Sequence, residues 1–335
     1  MGVGEVFTKS KGPLFLVVLF AVLVFSASAC IKSRPPFAYI THFGSGTVTI
    51  IDTSNNKVVG SVSVGSMPVG VAVNPLSTRI YVANSNSNSV SVIDTINNKV
   101  VDTKIKVRNA PHGVAINASG THVYVANSAS GSVSVIDTNI NKEVYTVTVG
   151  NRPLGIAVNP SGPRVYVANS NSNSVSVINT SKKKVVDTIK VGTNPHGIVV
   201  NPLGTFVYVS NYGSQSVSVI DTRYNKVDTV YLDNSGESDV APVGVAVNPS
   251  GTRVYVADSG IGMVSVIDTS INKEIDKIKV GKNPYGIAVN PSGTFVYVAN
   301  QGSGTVSVID TSNNNVVATI PVGDGPMALG QFITK

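Results

Sequence analysis

Hydrophobic and polar positions alternate in short runs along most of this chain, and the runs return at a fixed interval. In TVSVID at 305–310, Val306 and Val308 fall on one side and Ser307 on the other, the two-residue period of a β-strand. Close copies ending in Thr stand at 47–53, 89–95, 132–138, 174–180, 216–222, 263–269 and 305–311. The sixth residues of these copies are Asp52, Asp94, Asp137, Asn179, Asp221, Asp268 and Asp310, spaced by 42, 43, 42, 42, 47 and 42. A period near 42 with four apolar runs per unit predicts a propeller or a solenoid.

The last full unit shows the division. Strands are expected at 286–289, 295–299, 305–309 and 315–322. The turns between them are Asn290-Pro291-Ser292-Gly293, a Gly/Ser loop at 300–304 and Asp310-Thr311-Ser312-Asn313. Proline presets one turn angle and Gly293 accepts a positive φ. The repeated Asp residues read as turn formers that bond nearby backbone N–H groups. The first strand is apolar at almost every position, as suits the strand beside a crowded axis. The hydroxyl face of the third strand packs between neighbouring sheets.

The two ends of the repeat array settle its closure. FAYI at 37–40 matches the second strand of a unit, and ALGQF at 328–332 matches the first. The chain therefore starts one strand late and ends one strand into a new unit. Joining the ends gives an all-β, seven-bladed β-propeller of four-stranded blades, the N- and C-terminal strands sharing blade 1. Such a ring has no open sheet edge at its seam, whereas an open solenoid needs capping repeats.

Three phrases carry a resemblance. They are YVAN (81–84, 124–127, 166–169, 297–300), Pro-x-Gly-Ile/Val-Ala-Val-Asn-Pro and VSVIDT. Together they resemble the YVTN family of β-propeller repeats, across residues 37–335. Tyr208–Asn211 (YVSN), Tyr255–Asp258 (YVAD) and Tyr39–His42 (YITH) depart from the first phrase. The resemblance implies a propeller and an extracytoplasmic setting, since these repeats occur in archaeal surface-layer and bacterial exported proteins. It implies no single activity.

Composition adds a leader to this picture. Lys9 and Lys11 precede an apolar run at 14–25, which ends in Ser26-Ala27-Ser28-Ala29. That is the layout of a signal peptide over 1–29. Cys30, the one cysteine of the chain, follows, and 30–36 reads as a tether ahead of the propeller at 37–335. Ala27-Ser28-Ala29-Cys30 resembles a bacterial lipobox with Ala where Leu is usual. Cys30 is thus either a lipidation site or an incidental residue beside the cleavage point. An uncleaved N-terminal anchor is the alternative reading of the leader. The mature chain then has no disulfide. Its formal charge falls from +7 to (25 − 2) − (18 − 1) = +6.

Candidate chemistry lies where blades depart from the repeat. Loops between blades and between second and third strands share one face of a propeller. The residue between Pro and Gly leans toward the channel mouth on that face. Around the ring it is Val69, His112, Leu154, His196, Val243, Tyr285 and Met327, the last with Ala328 in place of the Gly. His112, His196 and Tyr285 stand two blades apart in turn and form the candidate ligand-binding mouth. His42 is a further candidate on that side, farther from the axis. The long step between Asp221 and Asp268 holds an acidic insertion, LDNSGESDVAPV at 232–243, with Asp233, Glu237 and Asp239. Lys57, Lys99, Lys142, Lys182, Lys183, Lys184, Lys226 and Lys273 gather at the outer strand, where lysine blocks edge pairing. The extra residue of the 43-residue step reads as a bulge near Lys104.

No catalytic constellation, metal-ligand spacing or cofactor motif is present. The expected function is an exported, non-enzymatic scaffold whose partners are envelope or surface proteins or glycans. Membrane contact would come only through Cys30, nucleic acid is disfavoured and a monomer is expected. The alternatives are a haem-related, metal-binding or hydrolytic site at the mouth, and a polyanion surface on the lysine rim.

Overall fold

The computed structural model describes Met1, Gly2, Gly4 and residues 35–232 and 239–335. The expected leader, Cys30, the tether up to Arg34, and Asp233 and Glu237 of the insertion lie outside the described residues. Residues 35–335 form one compact unit.

Among the described residues twenty-seven strands build seven antiparallel sheets, arranged as blades. Blades 2 to 7 span 68–106, 111–148, 153–190, 195–231, 242–279 and 284–321, each with four strands in simple meander order. Blade 1 has three strands from the N-terminal end, Phe37–His42, Thr47–Asp52 and Lys57–Ser63. Its inner position is filled by the C-terminal segment. Bridges join Ala38 to Ile333 and His42 to Pro326, and Tyr39 N–H donates to the Phe332 carbonyl over 2.9 Å. The sequence-based closure is therefore observed, though as separate bridges rather than a continuous strand. The extra residue of blade 2 falls between Asp102 and Ile105, opposite Ser91, as an added bulge in the outer strand.

The core lies between blades. Tyr39, Tyr81, Tyr124, Tyr166, Tyr208, Tyr255 and Tyr297 are all buried. In one such layer Tyr81, Ala83 and Val90 of blade 2 pack on Val114, Val123 and Ile136 of blade 3. Phenol groups reach polar partners across the gap: Tyr297 donates to Asn56 Oδ1 and Tyr39 to Asn98 Oδ1, each over 2.9 Å. The outer strands are half-exposed and carry the lysines, as expected for a solvated edge.

The serine face of the third strand is buried for a definite reason. Asn84, Asn127, Asn169, Asn211 and Asn300 close the second strands, and each Nδ2 donates to a serine seven residues on, over 2.9–3.0 Å. His42 holds the same place in blade 1, with Nε2 2.8 Å from Thr49 Oγ1. Asp258 holds it in blade 6, where Ser265 Oγ reaches both Asp258 and Glu274. One hydroxyl proton cannot serve two carboxylates, so one of the two acids must carry its own. Burial, ahead of the Ser265 hydrogen bond, raises Asp258 to about 8 and identifies it as the protonated one.

At the axis the inner strands almost touch. A Cβ on Gly70, Gly113, Gly155, Gly197, Gly244 or Gly286 would stand 2.0–2.4 Å from a carbonyl oxygen of the next blade. Each of those oxygens belongs to the residue just after the proline that opens the next inner segment. No side chain fits there, so glycine sets the radius of the ring.

Gly155→Ala should lower the unfolding free energy by about 1–3 kcal/mol or more, whereas Gly162→Ala, whose Cβ would meet nothing within 4 Å, should not. Equal denaturation midpoints would contradict the close-packed axis. Asp258→Asn restores the amide of the other blades. The raised acid means that the unfolded chain releases its proton first, so Asp258 costs stability progressively as pH rises from 4 toward 8. The variant should exceed the parent by on the order of 2–4 kcal/mol at pH 7–8, with the gap closing near pH 4. A gap independent of pH would rule out the protonated acid.

Candidate functional site

The channel has three zones. At its waist, Gly113, Gly155, Gly197, Val114, Ile156 and Ile198 leave about 20 Å³, room for roughly one water. On the face of the Asn-Pro turns it opens into an apolar hollow of about 400 Å³ lined by residues such as Ile116, Val158 and Val200. On the face of the inter-blade loops it opens into a polar hollow of about 440 Å³.

The floor of the polar mouth is a cluster of three rings. Each begins an inner strand, at the second position of PHGVAI, PHGIVV and PYGIAV. Because glycine draws these strands together, rings from blades 3, 5 and 7 meet over the axis. Tyr285 Oη lies 3.2 Å from His112 Nε2 and 3.0 Å from His196 Nε2. The His112 and His196 centroids are 5.5 Å apart, and those of His196 and Tyr285 5.3 Å, both edge-on. The rings keep some contact with channel solvent, but protein surrounds them on nearly every side.

That enclosure decides the charge. Burial drives His112 down to about 4, against the pull of the Leu154 carbonyl, and Arg152 adds to the drop. Burial also holds His196 well below the usual range, helped by His112 and Arg152. Burial raises Tyr285, opposed by Arg152. All three are neutral at physiological pH. A phenol has one proton, so it donates to one imidazole and accepts from the other. One imidazole Nε2–H therefore donates to the Tyr285 oxygen and the Tyr285 O–H donates to Nε2 of the other, so the two rings are in opposite tautomers. Nδ1 of both His112 and His196 is buried without a partner.

Around this floor the wall consists of Arg152, Leu154, Ser170, Asn194, Tyr212, Val243, Ser259 and Gln301. Sequence reading had missed Arg152. It precedes Pro153, and the equivalent residues are Met67, Ala110, Asn194, Ala241, Asn283 and Gly325. All seven have φ between +48° and +63°, a region rarely used before proline. The conformation repeats because each of the first six carbonyls caps a loop of its own blade, as in Ser170 N–H to Arg152 O over 2.9 Å. The signal was available: Arg152 is the one charged residue among these seven positions.

The other candidates lie apart. His42 is 2% exposed at the seam of blade 1. Nδ1 is 3.0 Å from the Asp324 carbonyl and Nε2 is on Thr49, so it is a strut in the asparagine position and not a mouth residue. Asp239 is exposed and does not line the hollow. Among the described residues no group of three or more His, Cys, Asp or Glu could hold a metal ion.

Known proteins share this architecture. Residues 30–205 match the YNCE-like β-propeller family, and residues 222–319 match the family of seven-bladed β-propeller lactonases. No curated protein sequence matches the chain. Among solved structures, hydrazine synthase from Kuenenia stuttgartiensis superposes with a TM-score of 0.74 at 25% identity, over 86% of this chain and 99% of that one. A functionally unknown protein from Desulfotomaculum acetoxidans gives a TM-score of 0.74 at 15% identity, over 88% and 99%. The dihydro-heme d1 dehydrogenase NirN in complex with DHE gives 0.63 at 16% identity, over 86% and 64%. The last two likenesses concern the fold.

Tyr285→Phe removes the group that serves both imidazoles. It should cost about 1 kcal/mol, the low end of the range for stranded buried groups, because channel water can reach the rings. Urea denaturation measures it, and an unchanged midpoint would contradict the bridging role.

Proposed function

Since the chain belongs to the YNCE-like β-propeller family, we propose that it is an exported binding scaffold that takes a small ligand in the polar mouth of its channel. The observation that carries this reading is the convergence of His112, His196 and Tyr285 from three alternate blades. Elsewhere the blades are near-copies, and a polar cluster built only at the mouth is a departure with a place to bind something. Export rests on the sequence: the leader at 1–29, Cys30 as a candidate lipid anchor, and repeats resembling those of YVTN surface-layer and exported proteins.

Binding is favoured over catalysis by the chemistry of the cluster. Among the described residues no carboxylate orients either imidazole, and both are held below the range in which a base works at neutral pH. The haem-related reading draws support from hydrazine synthase and from the pair of imidazoles. Against it, both Nε2 atoms are engaged by Tyr285, so the residues as arranged do not fit axial ligation.

The test is native mass spectrometry of the protein recovered from the cell that encodes it. The account expects it in the extracytoplasmic fraction carrying a small-molecule adduct, with the adduct lost in a Tyr285→Ala variant. Recovery from the cytoplasm, or identical adduct-free spectra for both proteins, would overturn it.

A further inference from the structure

Among the described residues the polar mouth holds one cation, the exposed Arg152, and no acid to neutralise it. The ion pairs among the described residues join Arg108 to Glu143, Arg253 to Asp268 and Lys277 to Glu274, and none involves Arg152. None of the ten residues lining the hollow is acidic. The Arg152 charge reaches His112, His196 and Tyr285 together, since it acts on the proton affinity of all three. A positive field at a hollow whose described lining carries no carboxylate draws an anion in.

The wall offers hydrogen bonds as well. The side chains of Ser170, Tyr212, Ser259 and Gln301 line the hollow, and none of the hydrogen bonds found among the described residues engages their side-chain polar atoms. Between the polar positions stand apolar ones. Leu154 separates His112 from His196 around the ring, and Val243 separates His196 from Tyr285. Both are buried but line the cavity. Below, the waist admits nothing larger than about one water, so a ligand must stay in the mouth.

We propose that the ligand of this mouth is a small monocarboxylate with a compact apolar or aromatic body. Its carboxylate pairs with Arg152, and its body lies against Leu154 and Val243 above the Tyr285 bridge. One guanidinium matches one negative charge, and its planar fork suits a carboxylate in bidentate geometry. A dianion would leave half of its charge without a counter-ion in a hollow with a single cation. This inference rests on the mouth being the binding site, but it adds the charge and shape of what binds.

Benzoate and its neutral isostere benzamide separate the two ideas. Binding is followed on the whole protein by calorimetry and by shifts of the His196 ring resonances. The control variant is Arg152→Asn, because Asn194 and Asn283 adopt the same backbone conformation in blades 5 and 7. Thermal unfolding confirms that the variant is folded. Benzoate should bind at least about tenfold more tightly than benzamide, a gap of about one order in Kd, and Arg152→Asn should remove the difference. Arg152→Lys should keep part of it. Equal binding of the two probes overturns the carboxylate inference while leaving a ligand site at the mouth. Benzoate binding unchanged by Arg152→Asn also overturns it. Failure of both probes to bind overturns it too, and only an adduct-free native protein would extend that failure to the scaffold reading.

Discussion

Six glycines around the axis control the rest of this molecule. Where a Cβ would meet a carbonyl of the next blade at 2.0–2.4 Å, the inner strands can approach only because that atom is missing. The approach closes the waist of the channel. It also brings the residue preceding each glycine to the rim, so three side chains from blades far apart in sequence come within hydrogen-bond reach. A wider ring would leave His112, His196 and Tyr285 as separate surface residues with ordinary solvation. The packing constraint is thus the cause of the electrostatics: enclosure strips water from the imidazoles and makes the neutral forms the stable ones.

The seam is built from the same logic. The C-terminal segment completes blade 1 and also contacts blade 2, where Val71 N–H donates to the Leu329 carbonyl over 2.9 Å. Gly330, at φ 111°, allows that turn toward Val71. The two chain ends therefore share one sheet, and pairing there depends on contacts far apart in sequence. Such closure protects the sheet edge.

Most of the fold was legible because it is written seven times. Strand identity, blade count and the shared blade followed from the period and from the phase of the two ends. The bulge near Lys104 followed from a single extra residue. The convergence of His112, His196 and Tyr285 was legible only as a position on a rim; sequence could not give the axis radius, which sets whether rings on alternate blades meet. His42, expected farther from the axis, lies at the seam for a physical reason: it occupies the asparagine position, where an imidazole can make the same inward hydrogen bond, here with Thr49. Asp258 is the converse, a conservative-looking change that needs a proton to fit. Arg152 was not legible as a mouth residue because only the left-handed backbone before Pro153 brings it to the wall.

The account turns on the mouth being a neutral, ordered chain of hydrogen bonds. Long-range proton–nitrogen NMR of the histidine side chains across pH tests this most directly. His112 and His196 are both expected to stay neutral well below the ordinary value, in opposite tautomers, one carrying its proton on Nδ1 and the other on Nε2. Titration of either ring near the ordinary value of 6.5, or a mixture of tautomers in both, would contradict it.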